Sequence, residues 1–110
     1  MSTTAPQTRH AVTAIIVAHD GARLLPGLVQ ALKAQTYPVE QTVGVDTASR
    51  DRSGAVLAEL IGQDAVFGME RTAGYGEAVE VALRHATRRR SGLTDPGLPR
   101  VEWIWLLHDD

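Results

Sequence analysis

Val101-Glu102-Trp103-Ile104-Trp105-Leu106-Leu107-His108-Asp109-Asp110 is the stretch from which the fold is read. An apolar, aromatic run of this length, opened by Pro99-Arg100, predicts a buried strand. Trp103 and Trp105 share one face of it, and core packing is the default role for both. The run then breaks into two adjacent carboxylates. A sheet gains nothing from paired acids at its end, so Asp109 and Asp110 call for a cation or a partner.

Working back from this strand, the same grammar recurs. Val12 to Ala18 is a continuous apolar run closed by His19-Asp20-Gly21. Leu24, Leu25, Leu28, Val29 and Leu32 follow at helical spacing, with Tyr37-Pro38 as the expected end of that helix. Thr42 to Val45 is a second strand, closed by Asp46. Ser49 and Asp51 are candidate caps for the next helix, whose stripe of Val56, Leu57, Leu60 and Ile61 stops at Gly62. Ala65 to Met69 is a third, weaker strand. The loop from Arg71 to Gly76 leads into a helix with Ala78, Val79, Ala82, Leu83 and Ala86 on one face. Arg88-Arg89-Arg90 closes it with positive charge, where the helix dipole favours cations.

Strand and helix thus alternate four times and three times. The pattern predicts an α/β fold, a Rossmann-like parallel sheet with helices on both faces. Residues 1–10 are expected to be a flexible tail and residues 11–110 one domain portion. The 110 residues carry a net charge of −2, so bulk charge does not suggest a nucleic-acid partner. Without cysteine, disulfides, thiolate metal sites and a cysteine nucleophile are excluded. No apolar run approaches the ~20 residues of a membrane span.

In a parallel sheet all strands end at one rim, and ligands bind there. Asp20, Asp46, Asp109 and Asp110, four of the seven aspartates, fall at such ends. Crowded carboxylates repel, and a divalent cation or a hydrogen-bonding ligand relieves the repulsion. Taken singly, Asp20 or Asp51 is more often a turn or helix cap. His19 and His108 are more often polar strand ends than ligands. Gly74-Tyr75-Gly76 at a helix start could offer backbone N–H groups to a phosphate, but it is no dinucleotide fingerprint.

These pieces, in this order, resemble the N-terminal half of family 2 glycosyltransferases of the GT-A fold. Val12 to Asp20 resembles the family's opening strand, where Tyr-Asn commonly stands at the place of His19-Asp20. Ala34-Gln35-Thr36-Tyr37-Pro38 resembles its Q-T-Y-P exit. Val45-Asp46-Thr47-Ala48-Ser49-Arg50-Asp51 is similar to its V-D-D-x-S-x-D loop, with Thr47 replacing the second acid. Trp103 to Asp110 resembles the strand leading to the DXD motif, with His108 where the first acid stands. Arg71 or Thr72 replaces an asparagine often seen before the glycine-rich helix start.

The resemblance implies transfer of a sugar from a nucleotide-diphosphate sugar to an acceptor hydroxyl, inverting and dependent on Mg²⁺ or Mn²⁺. It implies that Ala18, His19, Asp20, Asp46, Thr47, Gly74 and Asp109 bind the nucleotide sugar. Asp110, with Asp109, would hold the metal. The acceptor would be a glycan or a lipid-linked sugar of the cell envelope. The location would be cytoplasmic, at the inner face of a membrane reached through regions not in this chain. The catalytic base is expected beyond Asp110, so the chain alone is expected to bind donor weakly or not at all and to transfer nothing. The competing readings are a non-catalytic nucleotide-binding or regulatory module and, more remotely, a receiver-like domain. The receiver reading is weak because it wants paired acids after the first strand, whereas here there is Asp20 alone and one lysine, Lys33.

Overall fold

The computed structural model describes residues 9–91 and 100–108, with side chains over 10–86 and 101–108. The order is β1 (Arg9–Ala18), α1 (Leu25–Lys33), β2 (Gln41–Asp46), α2 (Ser53–Ile61), a 3₁₀ turn (Gln63–Ala65), β3 (Val66–Gly68), α3 (Tyr75–Ser91) and β4 (Arg100–His108). The four strands form one sheet in the order β3-β2-β1-β4, every pair parallel. This is the expected Rossmann-like α/β arrangement. The chain steps outward from β1 to β3, then returns to place β4 on the other side of β1. Strand order therefore reverses between β1 and β4.

Alternation along β1 sorts the core into two layers. Ala14, Ile16 and Ala18 face one way and pack with Leu25, Val29 and Leu32 of α1 and Leu57 of α2. Ile15 and Val17 face the other way, with Val43 and Val45 of β2, and meet Ala78, Ala82 and Ala86 of α3. The alanine stripe recurs every fourth residue and lets α3 lie close on the sheet, with Val79 and Leu83 packing at its flank. Ile15, Ile16, Leu25 and Leu57 are fully buried. Each such side chain contributes about 1.5–3 kcal/mol by leaving water. At Gly44 an added Cβ would lie 2.5 Å from Leu57 Cδ2, so this glycine makes the seat for the α2 leucine.

Four expectations are corrected. β4 pairs with β1 from Arg9↔Arg100 to Val17↔His108, but it is not buried. Val101, Trp103, Ile104, Trp105 and Leu106 are 37–53% exposed. Among the described residues β4 is an edge strand, exposed from Val101 to Leu106 and packed against the α1–α2 layer at Leu107, so core packing does not describe its tryptophans. Trp103 instead donates its Nε1–H to His10 Nδ1 at 3.0 Å. The first helix ends at Lys33, before Tyr37-Pro38: Gln35 N–H turns back to Leu32 O, a tightened last turn that closes the helix without proline. Tyr37 docks elsewhere, its hydroxyl donating to His10 O. Finally, Arg52 stands at the N-cap of α2 without a side-chain bond, while Asp51 Oδ1 accepts the Ser53 N–H at 2.9 Å. The carboxylate caps the helix from one residue further back. The first strand also begins at Arg9, inside the expected tail.

Candidate functional site

The strand ends converge because the strands are parallel and in register: Ala18 lies opposite Asp46, and Val17 opposite His108. Between β1 and β4, where strand order reverses, neighbouring connections leave in opposite directions and open a crevice. Such a crevice is present, about 230 Å³, with His19, Thr47, Arg71, Tyr75 and His108 around it. It lies on the α3 side of the sheet, the side that Val17 faces. Its volume is below the roughly 300–1,000 Å³ of a site that encloses a drug-sized ligand. A wider hollow of about 410 Å³, lined by Val29, Leu32 and Leu60 among others, lies at the opposite ends of the strands. The crevice is the better candidate, because polar groups from three loops meet there.

Thr47 is the hinge of this wall. It is 3% exposed, and its N–H extends the strand pairing to Ala18 O at 3.1 Å. Its hydroxyl donates to the same carbonyl at 3.2 Å. A hydroxyl has one hydrogen, so toward His19 Nδ1, 2.6 Å away, it accepts. In a neutral imidazole this makes Nε2 the acceptor nitrogen. His108 packs tilted against Tyr75, with ring centroids 5.4 Å apart.

Asp20 is held by more partners than any other strand-end acid described. It sits in the left-handed region, φ 58°, which Asp tolerates better than most residues. Its N–H donates to Ser49 Oγ at 3.0 Å, and its Oδ1 accepts the Arg50 N–H at 2.6 Å. Arg71 closes on both carboxylate oxygens and also donates to Ala48 O at 3.2 Å. The guanidinium, then the Arg50 N–H, hold the Asp20 carboxyl well below the usual carboxylate range. Asp20 in turn raises Arg71. Asp51 lies beside this group, its Oδ2 accepting the Ala22 N–H at 3.1 Å. The Ser53 hydroxyl first, and that N–H second, lower its carboxyl.

Asp46 points away from the crevice. Its neighbours Val45 and Thr47 face α3, so by alternation Asp46 faces α2. There its Oδ1 accepts both the N–H and the hydroxyl of Ser49, and its Oδ2 rests against Gly54. His19 and Thr47 thus line the crevice, while Ala18 stays out of its lining with its carbonyl taken by Thr47 and its methyl group in the α1–α2 layer. Asp20 pairs with the wall residue Arg71, and Asp46 braces the rim loop on the other face. Gly74 lies at the mouth of α3, its carbonyl accepting the Ala78 N–H at 3.1 Å. Asp109 and Asp110, the expected metal acids, lie outside the described residues. Among those described, no three His, Asp or Glu side chains come together as a metal site. The described acids do not fit a metal, since Asp20 is engaged by Arg71 and Asp46 by Ser49. Sequence reasoning passed over Arg71 and Tyr75 as wall residues. Its available signal was a lone arginine in the loop before a glycine-led helix.

One comparison with known proteins gives a match: the model of the family described as Glycosyl transferase family 2 fits residues 13–110. No curated protein and no solved structure matches the chain.

Proposed function

The chain belongs to glycosyl transferase family 2, and from that membership we propose that it forms the donor-binding half of a nucleotide-sugar-dependent transferase. The observation that carries this reading is the polar crevice where strand order reverses between β1 and β4, within the stretch that the family model matches. The His19 ring, oriented by Thr47, would contact the nucleoside, and Tyr75 would offer a ring face. Gly74 would contribute backbone groups. Asp20 would act through Arg71, and Asp46 through the loop it braces. Asp109 would reach the ribose side.

The reaction is transfer of the sugar to an acceptor hydroxyl of a glycan or a lipid-linked sugar. The hydroxyl oxygen forms the new bond to the anomeric carbon as the bond to the nucleoside diphosphate breaks, with inversion. The base that takes the hydroxyl proton is assigned to a region outside these residues. A divalent ion, when bound at Asp110 and Asp109, would offset charge on the departing diphosphate. The protein would work in the cytoplasm, at a membrane face reached through other regions. Among the described residues no helix is long and apolar enough to cross a membrane.

Calorimetry of the chain with UDP, GDP and dTDP, with and without Mn²⁺, tests the reading. Metal-dependent binding that Asp110→Ala abolishes is the expected result. No binding to any nucleotide sinks it. A second reading, a non-catalytic nucleotide-binding module, draws support from the engagement of Asp20 and Asp46 within the protein. Binding indifferent to Mn²⁺ and to Asp110→Ala selects that module. Sugar transfer by the chain alone would overturn the assignment of the base elsewhere.

A further inference from the structure

Among the described residues two non-glycines adopt left-handed backbone, Asp20 at φ 58° and Ala48 at φ 49°. Both are partners of one side chain. Arg71 meets Asp20 with Nη1 and Nη2, and Ala48 O with Nη1 at 3.2 Å. Ala48 is the costlier of the two, because alanine lacks the side-chain oxygen with which Asp or Asn compensates the left-handed crowding. The three residues come from three different loops: β1 to α1, β2 to α2, and β3 to α3. The Arg50 N–H on Asp20 Oδ1, 2.6 Å, ties the second loop to the first again.

We propose that Asp20 and Arg71 form a latch that positions all three rim loops, with Arg71 a positioning residue that holds the Ala48 turn in its disfavoured conformation. Two facts support the pairing as a device and not an incidental surface bridge. The contact is two-pronged, so it fixes direction as well as distance. It also joins segments 23 to 51 residues apart, which no local turn preference brings together. Three of the five guanidinium N–H groups are used in this way, Nη1 twice and Nη2 once. The loops are thus set before any ligand arrives.

The latch itself does not depend on the donor-site reading; only its expected effect on nucleotide affinity rests on that reading. The test uses the full chain without ligand, by NMR. Asp20→Asn keeps a residue that tolerates the left-handed turn but removes the charge. Arg71→Gln removes the fork. In the parent chain the Arg71 guanidinium protons are expected to be resolved from those of the other arginines through slowed rotation. Both variants should raise amide exchange at residues 48–50 and 71–74 by roughly threefold to tenfold, the scale of an exposed two-pronged pair. The rise should be confined to these loops, with amide exchange in the core of β1 and β2 little changed. Adding Ala48→Gly to Arg71→Gln should return exchange at 48–50 toward the parent value, since glycine needs no clamp in that region. Unresolved Arg71 protons, or loop exchange unmoved by Asp20→Asn, overturn the latch. A lowered unfolding midpoint with uniform exchange overturns it too, in favour of a purely structural contact. In a UDP titration beside these, failure of the parent to bind refutes the donor site while the exchange result still judges the latch.

Discussion

Gly27 and Gly54 both lie in the first turn of a helix, α1 and α2 respectively. By helix propensity alone, alanine improves either by up to about 0.8–1.0 kcal/mol. Their surroundings differ. An added Cβ at Gly27 meets nothing within 4 Å, whereas at Gly54 it lies 2.5 Å from Asp46 Oδ2 and 3.2 Å from Asp46 Cγ. Ordinary contact begins at 3.4 Å, so the carboxylate must retreat by about 0.9 Å. It cannot do so freely, because Ser49 holds Oδ1 with both its N–H and its hydroxyl. Ser49 Oγ also receives the Asp20 N–H, so a shift there reaches the crevice edge. Overpacking of this kind costs about 1–3 kcal/mol. After the propensity gain, Gly54→Ala is expected to change stability by about 0–2 kcal/mol in the destabilising direction, and Gly27→Ala to stabilise by up to about 1 kcal/mol. Urea denaturation followed by circular dichroism measures both. If Gly54→Ala stabilises as much as Gly27→Ala, Asp46 is not seated against α2, and its role as a brace for the rim loop is wrong.

Other outcomes follow from single contacts. Leu57→Ala empties the seat over Gly44 and should cost about 2–5 kcal/mol in the same assay, with the larger value if the layer does not collapse. Thr47→Val keeps the shape of a buried side chain but removes the acceptor for His19 Nδ1, and a loss of about 1–3 kcal/mol is expected, together with a changed His19 ring signal by NMR. The carboxyls of Asp20 and Asp51 are lowered on folding, so the folded chain binds fewer protons than the unfolded chain in acid. Their stabilisation should be complete above the usual carboxylate value, near 3.8, and should fall away as pH drops below it. Urea midpoints between about pH 6 and pH 3 should show this decline, and Asp20→Asn should flatten it; an unchanged profile in the variant would count against the Asp20–Arg71 pair.

Much of the fold was legible in the chain. The apolar runs at Val12–Ala18 and Thr42–Val45 are central strands, and the stripes of Leu25, Val29 and Leu32 and of Ala78, Ala82 and Ala86 are the helix faces that cover them. Periodicity reports which residues leave water, and it does so wherever the partner surface lies within the described residues. It failed at Trp103 to Leu106, where apolarity was read as burial. An apolar strand states that it tolerates a cover. It does not state that the cover is supplied by the helices nearby in sequence.

The site divides along the same line. By itself the sequence determined that acids and polar residues follow the strands, and a parallel sheet obliges those ends to share one rim. Which of them face the crevice was decided only by tertiary structure. Pleat parity turns Asp46 toward α2 and Thr47 toward α3, although the two are adjacent. The reach of Arg71 across 51 residues turns Asp20 from an apparently free carboxylate into half of an ion pair. Such outcomes depend on where three loops stop relative to one another. Local residue preferences do not carry that information, because each loop's direction is set by the packing of the elements it joins.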